Sequence, residues 1–290
     1  MTREKPDRAR RNTRRVIFTA DDFGLSEGVN EAVERAHREG VLTTASLMVA
    51  GPAAADAVRR AKTMPDLRVG LHLVVIEGAS VRPSAVRGLV DAAGDFPNDQ
   101  FGLSVDYFFR PKKRRQLQSE IRSQFSAFAK TGLRLDHANA HKHMQMHPTV
   151  GKMLLQVGKT FKLPAIRIPY EPTGPLGRSG TFVGVGGRLL NMWSTILRDD
   201  ARRAGIQVND SAFGIAWSGH MTMNRLLRLI PNLPSGLTEV YFHPATWRDA
   251  RLTGAMPDYE HEAELAALLS PDIRAALEAA GIERTTYGAD

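Results

Sequence analysis

VIFTADDFGLSEGVNEAVERAHREGVLTTASLMV, residues 16–49, decides the fold class. An apolar run ends at the turn formers Gly24 and Ser26. Val29, Ala32, Val33 and Ala36 then recur at helical spacing on one face, and a second short β-type run, TTASLMV, follows. Neither β run alternates as a strand with one face in water would, so the pair reads as parallel strands covered by the helix between them. The rhythm repeats downstream. Helical AAADAVRRAKT precedes LRVGLHLVV, and RRQLQSEIRSQFSAFAKTG precedes LRLDHANAHKH. A helix after Pro148 precedes PAIRIPY, and GRLLNMWSTILRDDARRAG lies upstream of LTEVYFHPA. Seven or eight β units in one α/β domain predict a distorted (β/α) TIM-like barrel, with a doubly wound sheet as the alternative. Two segments break the rhythm, 77–110 and the Gly-rich 173–187, and both read as candidate lids or substrate loops. The second lacks the glycine spacing of a phosphate-cradling loop, which leaves flexible connection as its default reading.

The net charge of +8 is unevenly placed, since residues 1–15 carry +5 of it and the rest of the chain only +3. Residues 1–14 read as a basic disordered tail ahead of a domain spanning 15–290. The tail lacks the apolar stretch of a secretory signal, and no later run reaches the roughly 18 apolar residues of a spanning helix. The expectation is a cytoplasmic protein. Its tail is either a solubilising extension or a peripheral contact with the anionic inner membrane face, at about 1 kcal/mol per basic residue. No nucleic-acid motif accompanies the charge, so no nucleic-acid partner is expected. Cysteine is absent, so disulfides and thiolate ligands are excluded and any metal must be held by His, Asp or Glu.

In a parallel α/β architecture the loops after the strand C-termini build the site. Four segments end in polar residues there: Asp21 and Asp22 after VIFTA, His72 in VGLHLVV, the histidines of LRLDHANAHKH, and His243 in YFHPA. Strand period two places His137, Asn139, His141 and His143 on one face, which would bring three imidazoles together. A divalent cation explains such a face, because two histidines, one carboxylate and an open position form a hydrolytic metal site. Asp21 and Asp22 can point the same way only if the strand stops at them. Gly24 and Ser26 supply that stop, Ser26 as the N-cap of the next helix. One aspartate could then bind metal while the other takes a proton from water, unless both merely cap the helix.

The stretches TADDFGLSEGVNEAVERAHREGVLTTASLMVAGPAAADAV, RVGLHLVVIEG, LDHANAHKHMQMHP, RIPYEP and EVYFHPA resemble the YdjC-like carbohydrate deacetylases, most of all their hopanoid-biosynthesis branch. The likeness covers about residues 16–249. It implies a distorted (β/α) barrel and metal-dependent removal of N-acetyl groups from amino sugars. For that branch it implies a lipid-linked substrate, N-acetylglucosaminyl bacteriohopanetetrol. By this resemblance Asp22, His72 and His141 are the metal ligands, Asp21 the base and His243 the general acid. A His-rich site suits Zn²⁺, while the resemblance also permits Mg²⁺. Many relatives carry Asp-Ser-His where this chain has Asn139-Ala140-His141, and a histidine at Gln145. Asn139 retains an amide oxygen that can orient a ligand.

Other residues receive weaker readings. His143 lines the substrate pocket. Arg167 and Glu171 either hydrogen-bond sugar hydroxyls or pair with each other. His147 sits at a helix start, His37 and His261 face solvent, and His220 has no evident partner. Leu189, Leu190, Met192, Trp193, Ile196 and Leu197 form an apolar stripe expected to pack into the core, with lipid contact as the alternative. Three other activities compete with the lipid-linked reading: deacetylation of soluble oligosaccharides, phosphoester hydrolysis at the same metal, and a non-enzymatic membrane-associated binder. Oligomeric state is not legible.

Overall fold

The computed structural model describes residues 13–181 and 185–288, with the backbone only for 185–190. The chain runs β1 (Arg14–Phe23), α1 (Glu27–Arg38), β2 (Thr44–Leu47), α2 (Ala54–Ala61), β3 (Arg68–Leu73), β4 (Gly78–Ala79), β5 (Asp95–Phe96), α3 (Gln100–Phe109), α4 (Pro111–Lys130) and β6 (Leu135–Ala140). It continues through α5 (Pro148–Thr160), β7 (Ala165–Ile166), α6 (Thr173–Arg178), α7 (Val185–Arg203), β8 (Gln207–Val208), β9 (Ser211–Phe213), α8 (Met223–Leu229), β10 (Gly236–Phe242), α9 (Ala250–Ala255), α10 (His261–Leu269), α11 (Pro271–Ala279) and β11 (Ile282–Arg284). Ser26 caps α1 as expected, its hydroxyl accepting from the Val29 N–H at 3.2 Å.

Parallel strands form one sheet in the order β8-β7-β6-β3-β2-β1-β10-β9, with β11 pairing the first residues of β1. The sheet is a barrel left open, because no ladder joins β8 to β9 among the described residues. Asn209 bridges that gap. Its amide oxygen accepts from the Ile168 N–H and its NH2 donates to the Ile168 and Ser211 carbonyls. No helix among the described residues is long and apolar enough to cross a membrane.

Alternation along β1 sorts its side chains. Val16, Phe18 and Ala20 join the large apolar core, whereas Ile17, Thr19 and Asp21 face inward. The barrel interior is consequently polar. Thr19 donates to Glu239 at 2.6 Å, and Tyr287 donates to the other Glu239 oxygen at 2.6 Å. His137 belongs to this lower layer, bonded to Ser46 and Asp136 at 3.0 Å each. A Cβ on Gly70 would lie 2.5 Å from the His137 ring, so β3 has a glycine where the imidazole fills the interior.

Several expectations change here. Residues 1–12 of the proposed tail lie outside the described residues, but Arg14 already pairs with Gly236 in the sheet. Segment 77–110 is an ordered excursion: β4 and β5 form an antiparallel hairpin and α3 follows. Buried Glu120 anchors it by accepting from Ser80 Oγ and the Val81 N–H. Within 173–187, α6 and the start of α7 replace part of the expected loop, and residues 182–184 lie outside the described residues. The α7 stripe does not all pack inward. Leu197 is buried, but Met192, Trp193 and Ile196 are 60%, 43% and 54% exposed, and the side chains of Leu189 and Leu190 lie outside the described residues. His261 is buried against the His243 carbonyl, not solvent-facing, and His37 is half-buried against the Leu42 carbonyl.

Candidate metal centre and active site

Both aspartates of the opening stretch are buried at the end of β1, at 2% and 1% exposure. The strand does not simply stop, as alternation had required. Its register against β2 slips between Ala20 and Phe23, and Asp22 adopts a left-handed backbone with φ of 60°. That one irregularity turns Asp22 to the same end of the barrel as Asp21. Gly24 completes the turn at φ 96°. Glu77, Lys142 and His143 are also left-handed, so four of the five such non-glycine residues described lie around this site. Each such backbone costs about 1–3 kcal/mol, and the surrounding packing must hold it.

His72 comes from β3 and His141 from the turn following β6. His72 Nε2 lies 3.2 Å from Asp22 Oδ1, His141 Nδ1 lies 3.3 Å from the same oxygen, and the two imidazole nitrogens are 3.4 Å apart. These separations match the edges of a ligand triangle around an ion at roughly 2.0–2.2 Å from each donor. A second observation supports the fit: neither Asp22 carboxylate oxygen, though buried, receives a hydrogen bond among the described residues. The donor set is imidazole and carboxylate, which suits a divalent cation. It is also the one group of three potential ligands within mutual reach among the described residues. Burial would raise the Asp22 pKa, but His141 and His72 outweigh it and hold the carboxyl well below its usual range. His141 is pushed up to about 9, because Asp22 and Glu77 overcome the effect of burial.

Asn139 ties the two halves of the site together. Its amide oxygen lies 2.7 Å from His72 Nδ1, so it accepts that N–H and leaves the Nε2 lone pair facing Asp22. Its NH2 group donates to Asp21 Oδ1 at 2.9 Å and to Ser46 Oγ at 3.0 Å. Asn139 thus performs the orienting role foreseen for it, but on His72 instead of His141. Arg167 grips Asp21 from the opposite side, Nη1 to Oδ2 at 2.5 Å and Nη2 to Oδ1 at 3.0 Å, while Nη2 also donates to Glu239 at 2.8 Å. The guanidinium is fully buried and stacks 4.4 Å from the Tyr241 ring centroid. Burial alone would raise the Asp21 pKa, yet Arg167 and His72 pull it far below the ordinary carboxylate value, so Asp21 stays ionised.

Sugar contact was one reading of Arg167 and Glu171, and the structure replaces it for both. Arg167 is enclosed between Asp21 and Glu239 and reaches no cavity. The Glu171 carboxylate accepts the backbone N–H groups of Gly214, Ile215 and Ala216, which fixes the turn after β9. Nor do the two pair with each other. The common histidine face is also revised. β6 ends at Ala140 and the left-handed Lys142 and His143 break the alternation, so of these histidines only His141 joins Asp22 and His72. His143 instead bonds Tyr241 Oη through Nε2 at 2.9 Å.

A cavity of about 330 Å³ opens onto this cluster, lined by Asp21, His72, His141, His143, Tyr241 and His243. His143 and His243 both line it. Burial pushes the pKa of His243 down, and burial together with Arg167 takes His143 down to about 3, so both rings are neutral at pH 7. The His243 backbone is set by Glu264, whose carboxylate accepts its N–H at 2.5 Å and that of Met221 at 2.8 Å. His147 bonds the Ser104 carbonyl at the start of α5, and His220 lies 3.6 Å from Glu260. Gln145 is buried beneath the turn, where its amide has no hydrogen bond among the described residues.

Glu239, Tyr241 and Glu77 were missed from sequence. A signal existed for Glu239, since an isolated acid in the apolar run LTEVYF needs a buried cation, as Arg167 in AIRIPY needs a buried anion. Glu77 lies in a turn with no such mark, 3.8 Å from His141 Nε2.

A family model described as YdjC-like protein matches residues 15–279. A protein of Geobacillus stearothermophilus named carbohydrate deacetylase is 30% identical, the match covering 94% of this chain and 97% of that one. One of the same name from Brevibacillus brevis is 27% identical over 94% and 98%. Among solved structures, a candidate cellobiose-phosphate cleavage protein of Enterococcus faecalis superposes with a TM-score of 0.74 at 22% identity, over 95% of this chain and 98% of that one. That likeness shows the shared fold.

Proposed function

This chain belongs to the YdjC-like protein family, and from that we propose that it is a metal-dependent hydrolase that removes the N-acetyl group from an N-acetylglucosamine-type sugar. One observation carries the reading: an unsatisfied buried carboxylate and two imidazoles meet at ligand spacing beside a second carboxylate locked in place. The relatives named carbohydrate deacetylase supply the substrate class. A cation such as Zn²⁺ or Mg²⁺, held by Asp22, His72 and His141, would supply Lewis acidity toward the acetamide carbonyl and the attacking water.

The chain's own residues do the rest. Asp21, ionised and fixed by Arg167 and Asn139, accepts the proton of the attacking water. The water oxygen bonds to the acetyl carbon, the C–N bond breaks and the nitrogen leaves as the free amine. The amine requires one proton, and His243, neutral at rest, relays to it the one that Asp21 took from the water. His143 and Tyr241 line the same cavity as His243, where the sugar would lie. Products are acetate and the amino sugar.

A lipid-linked acceptor, such as N-acetylglucosaminyl bacteriohopanetetrol, is the finer form of this proposal. Its support is a cavity of about 360 Å³ that shares Lys142 and His143 with the catalytic one and continues along Met144, Met146 and Trp193. The test is mass spectrometry after incubation with the glycolipid and, in parallel, with chitooligosaccharides, each with and without chelator. Chelator-sensitive loss of one acetyl mass supports the hydrolase, and the glycolipid reacting better supports the lipid form. Phosphate release from phosphoesters without any acetate release would refute the proposal.

A further inference from the structure

We propose that the outer face of α3, the first turns of α4 and the exposed stripe of α7 form a docking surface for an anionic lipid bilayer. Helix α3 has two apolar faces. Leu103 and Tyr107 are buried in the core, whereas Phe101, Val105, Phe108 and Phe109, spaced i, i+4, i+7 and i+8, are 80%, 38%, 50% and 70% exposed. A helix face carrying three phenylalanines in water is what packing normally removes, so this one is built for an occupant.

Its borders identify that occupant. Directly after Phe109 come Arg110, Lys112, Lys113, Arg114 and Arg115, against which α3 sets Asp106, paired with Arg110 and Lys113, and Asp99 at its N-cap. Phe109 and this basic turn line one cavity of about 710 Å³. On the other side, α3 and Trp193 of α7 line a shared cavity, which places Met192, Trp193 and Ile196 beside the same surface. Aromatic side chains next to Lys and Arg match the boundary between acyl chains and acidic headgroups. A second copy of this chain is a poorer occupant, since a self-complementary contact through this face would bring two basic clusters together.

The surface also borders the catalytic cavity. Lys142 and His143 belong both to that cavity and to the one reached by Trp193. A bilayer docked here would bring a headgroup-level sugar to the mouth of the site without the chain entering the membrane. The inference rests on exposure and charge and stands apart from the deacetylase reading.

Full-length protein is sedimented with phosphatidylglycerol-containing vesicles and with pure phosphatidylcholine vesicles, at low and high salt. The variants are F101S/F109S and K112E/R115E; none of these residues lines the catalytic cavity, and circular dichroism checks their folding. Wild type should prefer the anionic vesicles. F101S/F109S should weaken binding at least about tenfold and abolish the part that survives high salt, because inserting each phenylalanine is worth about 1.5–3 kcal/mol, or tenfold or more. K112E/R115E should erase the preference for anionic lipid. Equal vesicle binding by wild type and F101S/F109S overturns the proposal, as does absence of binding by wild type. A wild-type dimer in solution that F101S/F109S dissociates also overturns it, by giving the face to a second copy. Turnover of a soluble chitooligosaccharide, measured alongside, should be unchanged in both variants. If wild type itself fails to turn it over, that counts against the catalytic reading and leaves the vesicle result standing.

Discussion

Replacing Arg167 by Met keeps roughly the volume of the side chain and removes a charge that two buried carboxylates share. Asp21 is gripped at 2.5 and 3.0 Å and Glu239 at 2.8 Å, and all three side chains are buried. Removing one partner of a buried ion cluster typically costs about 3–5 kcal/mol, because the remaining charges are left uncompensated. For a domain of this size each kcal/mol moves Tm by about 2–4 °C, so metal-free R167M should melt roughly 6–20 °C below wild type. Sign follows from linkage. In wild type both carboxyl pKa values are held down, Asp21 most of all, so their contribution is present near neutrality and lost in acid. In R167M the largest influence opposing burial is gone and both pKa values rise, so the deficit should be largest at neutral and alkaline pH and shrink as pH falls and the carboxylates take protons. R167K, which keeps charge without the fork, should fall between. Turnover should fall by about 10²-fold in R167M, the cost of a misplaced reacting group. Thermal denaturation by circular dichroism across pH, with acetate release as the kinetic readout, checks these outcomes. An R167M protein melting within about 2 °C of wild type at every pH would show that the cluster holds neither the fold nor Asp21.

The two adjacent aspartates should behave differently. D22N should lose bound metal on dialysis and recover part of its rate in excess metal, whereas D21N should keep metal and stay slow, with metal content and acetate release as readouts. Reversed metal contents would exchange their roles. H243A should lower kcat by about 10²–10⁴-fold with metal content near wild type, as for a lost general acid, and loss of metal would make His243 a ligand instead. Buried Glu264 has its pKa raised to about 7, chiefly by desolvation, from an ordinary 4.5. The folded protein therefore holds a proton that the unfolded chain releases, and stability should fall as pH rises from 4.5 to about 7. E264Q, followed by urea unfolding over that range, should flatten the slope, and an unchanged slope would assign it to other groups.

The parallel α/β architecture was legible in the sequence because apolar runs and helical periodicity are local properties, set by which side chains must leave water. Gly24 and Ser26 marked the end of β1 for the same reason, since a left-handed turn and a helix cap each require particular residues at particular offsets. The residues that could coordinate a cation, Asp22, His72 and His141, were legible as chemistry at strand ends, and the barrel brings them to 3.2–3.4 Å. Local pattern could not supply the slipped register that turns Asp22 beside Asp21, nor the left-handed turn that sends His143 to Tyr241 while His137 stays a layer below. Nor could it show that Arg167 faces inward, where Asp21 and Glu239, 146 and 72 residues away, receive it instead of a sugar. Those outcomes depend on which groups the closing sheet brings together in a space without water. A buried charge there is stable only beside its opposite, so the partner is chosen by the tertiary structure.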